Sequence, residues 1–400
     1  VLNKLLIRIK SILLRRRPLF RYSWRYLLPC EGYIAVHRQV MLRSLKHRPW
    51  LICVFAWSLL TWFLCWHWVV MYRAMRRFRQ QAVDAGVPIW QQVTGLLAAG
   101  LGQGISGFDY YHFKLYRVAP THWWRYVFDF QLPHFHHAFQ THPISQASRS
   151  YLSCKGIFAE RLAAVGGHPV ATIANVNLQE HWPIEDWLVM APKIFIKPEG
   201  ASRSQGCVTI SKPEQWRFEY AEAIYEGAQG LESLKYRLPM GEYLVQPLLE
   251  HHPTMAKWQL SDKTITLRIV SAMDEGVFTL VAANLELNDD THRRFKVFAV
   301  DLVNGTAVLD AEHCAVLGWE CHEAKVSLPH WTDVLAEIEL AHRLCADVHT
   351  VGWDAVITPN GVVLLEGNLN WGINTLQIVR EAPLLPLLCQ SSPVFLKSMS

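Results

Sequence analysis

The stretch Gly352-Trp353-Asp354-Ala355-Val356-Ile357-Thr358-Pro359-Asn360-Gly361-Val362-Val363-Leu364-Leu365-Glu366-Gly367-Asn368 decides the reading of this chain. Pro359-Asn360-Gly361 has the composition of a tight turn, and apolar runs flank it, so the segment folds as a β-hairpin. Folding about that turn brings Asp354, on the first strand, close to Glu366 and Asn368 at the far end of the second. Residues two apart on a strand share a face, so Glu366 and Asn368 are aimed together. Asp, Glu and Asn supply hard oxygen donors, the kind Mg2+ takes alongside nucleotide phosphates. An isolated pair of carboxylates would read as ordinary polar hairpin ends. Three oxygen donors converging over an apolar hairpin favour a metal.

Working outward, Ile194-Phe195-Ile196-Lys197-Pro198 reads as a buried strand ending in lysine. The loop Glu199-Gly200-Ala201-Ser202-Arg203-Ser204-Gln205-Gly206 follows it, and then a second strand, Cys207–Ile210. A small-residue loop between strands can lay its backbone N–H groups over phosphates. It is not a Walker loop, because no helix opens with Gly-Lys-Ser/Thr. Glu242–Leu248 reads as a strand and linker. Thr266-Leu267-Arg268-Ile269-Val270 sets an arginine among apolar neighbours, where an unpaired cation is costly. Arg268 therefore either pairs with a nearby acid or stabilises charge on a phosphoryl group in flight. Strands are expected at 193–197, 206–210, 242–246, 264–273, 277–286, 294–303, 350–358 and 361–366. Helices are expected at Lys155–Val165 and Trp331–Val348. Long paired strands with few helices mean α+β with antiparallel sheet.

The order lysine, Gly-rich loop, Val-Gln-Pro, Thr-x-Arg, Gly-Trp-Asp, Glu-Gly-Asn resembles the ATP-grasp superfamily, and most of all its sugar-transfer-associated members. Phe195–Gly206, Val245–Pro253, Thr266–Ser271 and Gly352–Asn368 carry the resemblance, over roughly 150–380. Phe108–Tyr116 also resembles a short motif of that family's helical N-terminal part. The resemblance implies two α+β lobes whose antiparallel sheets sandwich ATP, after a helical N-terminal region. It implies ATP and Mg2+ as cofactors. It makes Lys155 and Lys197 phosphate-binding lysines and Gly200–Gly206 a mobile loop, with Gly200, Ser202, Ser204 and Gly206 over the phosphates. Gln246 to Leu248 becomes the adenine hinge. Asp354, Glu366 and Asn368 become the Mg2+ ligands, and Arg268 the phosphoryl-contacting arginine. Arg203 and Gln205 make this loop bulkier than an all-glycine version, and the chain before 150 does not read as the α/β domain that precedes many such cores.

Composition divides the chain. Residues 1–48 hold twelve Lys or Arg and one acid, while the rest carries more acid than base. Such a segment is drawn to an anionic surface. Pro49–Tyr72 follows without a single Asp, Glu, Lys or Arg, and five tryptophans fall between Trp50 and Trp68. As a helix it is long enough to cross a bilayer. Both flanks are basic, so a single span would export the most basic segment against the positive-inside tendency. A surface-lying or re-entrant helix avoids that, and a buried helix of a soluble helical domain is the plain alternative. Nine scattered cysteines with no C-x-x-C pair suit a reducing cytosol. No secretory-signal pattern is read at the N-terminus. His134, His136, His137 and His142 invite a zinc reading, with His134 and His136 on one face of a strand, but no carboxylate or cysteine completes a set.

The expected organisation is a basic and apolar segment at 1–72, a helical region at 73–149, a catalytic core at 150–385 and a tail at 386–400. The expected activity is ATP- and Mg-dependent ligation, with a carboxylate activated as an acyl phosphate for attack by an amine. The substrate would be a small molecule or glycan precursor, in polysaccharide or cell-envelope glycan biosynthesis. The expected place is the cytoplasm or the inner face of the cytoplasmic membrane, with an anionic membrane surface as partner and no nucleic acid. A kinase phosphorylating a hydroxyl on the same fold, and a non-catalytic nucleotide-binding scaffold, stay open beside it.

Overall fold

Polar and apolar residues alternate along most of the strands, and each sheet accordingly has one dry face and one polar one. The computed structural model describes residues 23–47, 50–199, 206–212, 216–220, 223–259, 264–289, 294–309 and 324–392. The chain divides into two compact units, 143–369 and a unit joining 1–142 to 370–400.

The first of these holds two antiparallel sheets. Six strands are β1 (Ala174–Asn177), β2 (Lys193–Pro198), β3 (Val208–Ser211), β4 (Arg217–Tyr220), β5 (Ala223–Glu226) and β6 (Glu242–Pro247), in the order β1-β6-β2-β3-β4-β5. Seven more are β7 (Thr266–Asp274), β8 (Val277–Asp289), β9 (Arg294–Asp301), β10 (Thr306–Leu309), β11 (Ala324–Ser327), β12 (Thr350–Thr358) and β13 (Gly361–Asn368), in the order β11-β10-β9-β8-β7-β12-β13. The α+β class and most of the expected strands are present. The short strands β1, β4, β5, β10 and β11 were not expected, since four residues display a period poorly, although the equally short β3 was.

On the large sheet, Leu267, Ile269, Ala283, Leu285, Trp353, Ala355 and Ile357 face a core closed by Tyr151, Phe158, Leu162, Val334, Ile338 and Ala341. These last six come from the helices Gln146–Ser153, Lys155–Ala164 and Trp331–Arg343. The expected helix to Val348 ends five residues early, and His342 turns its ring inward to bond Ser271 and the Val348 carbonyl. The small sheet buries Ile194, Ile196, Val208, Ile210, Phe218 and Val245 on its own dry face. In each sheet the opposite face carries the polar residues.

The second unit is helical. Its core is aromatic: Tyr110, Tyr111, Phe113, Tyr116, Trp123, Tyr126 and Phe128 pack together. Phe108–Tyr116 thus supplies packing, with the Tyr111 hydroxyl donating to Gln92 Oε1 at 2.7 Å and Lys114 paired with Glu381. His134 and His136 lie on the helix Leu132–Phe139, not on a strand, with His134 Nδ1 bonded to Ser44. Among the described residues no group of three His, Cys, Asp or Glu side chains could hold a metal.

The expected domain limits need three corrections, of which the smallest is that the core begins at Pro143, not at 150. The break at 72 falls inside the helix His67–Asp84, so the segments on either side of it are one body. The core ends at Leu369, not at 385. Beyond it the helices Asn374–Arg380 and Leu385–Gln390 join the helical unit, because their polar groups are matched there. Asp129 Oδ1 accepts the N–H groups of Ile373 and Asn374. The buried Gln377 amide donates to the Val127 carbonyl at 2.5 Å and accepts from the N–H groups of Val127 and Leu384. Gln377→Ala strands three buried backbone groups, each worth about 1–3 kcal/mol. Urea unfolding should show a loss of about 2 kcal/mol or more, and trypsin should cut within 370–392 sooner. Unchanged unfolding and proteolysis would remove Gln377 from that role.

Candidate active site

Four neighbouring strands set a row of polar side chains across one face of the large sheet. Asn284 on β8 stands opposite Arg268 on β7, Arg268 opposite Asp354 on β12, and Asp354 opposite Glu366 on β13. Residues directly opposite share a face. Strict alternation from Val362 and Leu364, which face the core, would have put Glu366 in the core as well. A bulge prevents this: Ala355 pairs with Leu364 while Asp354 pairs with Glu366, leaving Leu365 as the extra residue. Glu366 and Asn368 are thereby turned to the polar face. Gly367 between them faces the core, where an added Cβ would lie 2.6 Å from the Trp353 ring.

Arg268 grips Asp354 with two parallel bonds, Nε to Oδ1 at 2.8 Å and Nη2 to Oδ2 at 3.0 Å. Its third nitrogen lies 3.3 Å from Glu286 Oε1. Burial raises the pKa of Asp354, opposed by the Arg268 hydrogen bonds and charge. Burial likewise raises that of Glu286, again against Arg268. For Arg268 burial favours losing the proton, but the Asp354 bonds and the surrounding acids win and its pKa goes up. Of the two alternatives read for Arg268, the pairing with an acid is therefore the state seen here. Asn284 is fully buried on the same row, and its amide has no hydrogen-bond partner among the described residues. Glu286 and Asn284 were not singled out from the sequence. The signal was present: Ala283-Asn284-Leu285-Glu286-Leu287 alternates strictly, with polar residues at the positions facing Arg268.

Lysines from two elements meet this row. Lys155 opens its helix, donates to the Glu199 carbonyl at 3.0 Å, and lies 3.8 Å from Glu366 Oε2. Cys154 next to it donates to Glu199 Oε1 at 3.0 Å. Lys197, at the end of β2, is pushed down to about 8, first by burial and then by the charge of Lys155, with Glu366 and Cys207 pulling the other way. Gly206 closes the loop with φ +77°, and a Cβ there would meet Pro198 at 2.9 Å. Gly200, Ser202 and Ser204 lie outside the described residues. On β6, Gln246 is buried opposite Phe195. Pro247 has no N–H, and the Leu248 N–H already donates to the Lys193 carbonyl. Of the expected hinge residues, Pro247 and Leu248 thus have no unbonded backbone N–H for adenine.

The donors fit a hard divalent cation: two carboxylates and an amide on one face. Asn368 Nδ2 donates to Glu366 Oε1 at 3.2 Å, which leaves the Asn368 carbonyl oxygen and Glu366 Oε2 for a ligand. Asn368 stands opposite Gly352, where no side chain competes for the space.

Two antiparallel sheets, one bearing the acid row and the other a half-buried lysine, are the arrangement of an ATP-grasp fold. Residues 219–391, under half of the chain, match the family described as sugar-transfer associated ATP-grasp. The match holds Arg268, Asp354, Glu366 and Asn368, and starts after Lys155 and Lys197. No curated protein matches the chain. Among solved structures, the D-alanine-D-alanine ligase from Coxiella burnetii is 10% identical, covering 64% of this chain and 58% of that one, with TM-score 0.36. D-alanyl-alanine synthetase A from Vibrio cholerae O1 biovar eltor is 12% identical, covering 64% and 68%, with TM-score 0.38. The ATP-grasp ligase PsnB with its minimal precursor is 12% identical, covering 62% of each chain, with TM-score 0.36. The chain thus spans less than two thirds of the Coxiella ligase, and likenesses this distant say nothing of its substrate.

Two measurements address the row and the lysine. Arg268→Met leaves the buried Asp354 and the half-buried Glu286 without their cation, a loss of up to about 3 kcal/mol given the partial exposure of the arginine. Adding Asp354→Asn should recover part of it in urea unfolding, and strict additivity of the two changes would remove the coupling. Lys197 is charged below about 8, and a phosphate binds the charged form. Mg-ATP affinity should therefore be flat below that pH and weaken above it, by up to about tenfold per unit. Lys197→Met should flatten the profile in calorimetric titrations from pH 6.5 to 9.5. In stability the sign is opposite to a salt-bridged lysine: holding the cation destabilises the fold below about 8, and this penalty fades as pH rises towards the ordinary 10.5.

Proposed function

We propose that the chain is an ATP- and Mg-dependent ligase that activates a carboxylate for attack by an amine, on a glycan-precursor substrate. The observation that carries this reading is the in-register row Arg268–Asp354–Glu366, joined by Asn368 and faced by Lys155 and Lys197. Lys155 and Lys197 bind phosphate oxygens, and burial strengthens their field there. Arg268 is held by Asp354 and Glu286 in one orientation, ready to meet charge that builds on the transferring group. A bound Mg2+, held by Asp354, Glu366 and Asn368, would offset the charge of the phosphates and orient them. The substrate carboxylate attacks the γ-phosphorus, and the bond to the β–γ bridging oxygen breaks, releasing ADP. The amine then attacks the acyl carbon, phosphate leaves with the electron pair of the C–O bond, and the amine proton passes to solvent. The sugar-transfer association of the matched family supports a role in polysaccharide or envelope glycan assembly. Supply of ATP puts the reaction in the cytoplasm.

A kinase would use the same row on a hydroxyl, and a scaffold would not need it. The purified protein should release ADP only when a glycan-precursor acid and an amino compound are both present. Glu366→Gln should remove turnover while thermal unfolding stays within about 1 kcal/mol of the parent, as for most partly exposed positions. ADP release with an alcohol alone would select the kinase. Unchanged turnover in Glu366→Gln would exclude Glu366 as a metal ligand.

A further inference from the structure

We propose that the helical unit docks on an anionic lipid bilayer through one face of the helix that begins at Ile52, inserted from one side and not spanning. This inference is independent of the ligase reading.

The helix is continuous from Ile52 to Asp84, 33 residues, and most of its apolar stretch is not buried. Its two faces differ. The inward stripe is Phe55, Ser58, Trp62, His67, Val70 and Ala74, all buried. The step from Trp62 to His67 is five residues, because a π turn at Trp62–Trp66 inserts one and keeps the stripe in line. There the helix is fixed to its own unit: Trp62 Nε1 donates to the Gly100 carbonyl at 3.0 Å. His67 packs so closely that a Cβ on Gly100 would lie 2.0 Å from its ring. A helix that left these contacts to span a membrane would carry Ser58 and His67 into hydrocarbon.

The outward face is apolar as far as Tyr72. Trp57, Leu60, Leu64, Trp68, Val69 and Tyr72 are all exposed, as is Ile52 at the start. From Arg73 the same face turns cationic, with Arg73, Arg76, Arg77 and Arg79 exposed and no acid before Asp84. A contiguous apolar surface of this length marks an interaction site. Its chemistry selects the occupant. Trp and Tyr beside a one-sign arginine collar match the boundary between acyl chains and anionic headgroups. A second copy does not fit. No acid lies between Ile52 and Asp84, so parallel packing would set collar against collar and antiparallel packing would leave both collars without an acid to meet.

The full chain should float with vesicles of phosphatidylcholine and phosphatidylglycerol, bind those of phosphatidylcholine alone less, and stay bound in 1 M salt. Leu60→Glu with Leu64→Glu should cut the bound fraction at least tenfold. Both residues are exposed, so circular dichroism should not change. Cys53 and Cys65 are exposed on this helix, and a charged maleimide should label Cys65 in the free protein and be excluded from it on vesicles. Tags at the two ends of the chain should be open to protease from the same side. A monodisperse chain that fails to float, or Cys65 labelling unchanged by vesicles, overturns the docking. Tags on opposite sides overturn one-sided insertion.

Discussion

The two parallel hydrogen bonds from Arg268 to Asp354 make the acid row of the large sheet tenable. An acid and an arginine on adjacent central strands would each be expensive to bury alone, and paired they satisfy most of one another's hydrogen-bonding capacity. The pair is also tethered at both ends. Glu286 takes the remaining arginine nitrogen, and Glu366 stands on the other side of Asp354. A ligand that draws on Asp354 must therefore act on Arg268 as well. That coupling is the physical content of calling this face a site.

The opposite face of the same strands is built to hold the row still. Trp353, one residue before Asp354, donates from Nε1 to Ser271 Oγ at 2.8 Å. Ser271 in turn bonds His342 Nδ1 at 2.7 Å. His342 Nε2 lies 2.9 Å from the Val348 carbonyl, which makes that nitrogen the donor and Nδ1 the acceptor of the serine proton. Burial pushes His342 down to about 4, so the ring stays neutral and the chain of bonds keeps its direction. This network fixes the Trp353 ring, and the ring in turn requires glycine at 367. Glu366 and Asn368 are thus located from beneath, through residues that meet no substrate.

The helical unit obeys a different economy. Its interior is aromatic, and three of its buried polar side chains, Gln92, Asp109 and Gln377, are held by hydrogen bonds. The C-terminal helices belong to it because Gln377 and Asp129 complete backbone groups there. Sequence distance, some 245 residues between Asp129 and Asn374, does not oppose such contacts once the unit is formed.

Much of this could be read from residues in order. The turn at Pro359-Asn360-Gly361, the alternation on either side of it and the lone arginine of Thr266-x-Arg268 carry their own physics, because turn chemistry and a period of two are local. They set the α+β class, the hairpin, and Lys197, Arg268, Asp354, Glu366 and Asn368 as residues to watch. Register is not local. That Arg268 stands opposite Asp354, and Asn284 opposite Arg268, depends on which strands become neighbours. The face taken by Glu366 depends on one extra residue, Leu365, that alternation alone would have misassigned. The same holds for residues 370–392, which the sequence assigns to the core as far as 385 and to a tail beyond it. The bonds of Gln377 with Val127 and of Asp129 with Ile373 and Asn374 decided for the helical unit, since an unpaired buried amide is costly.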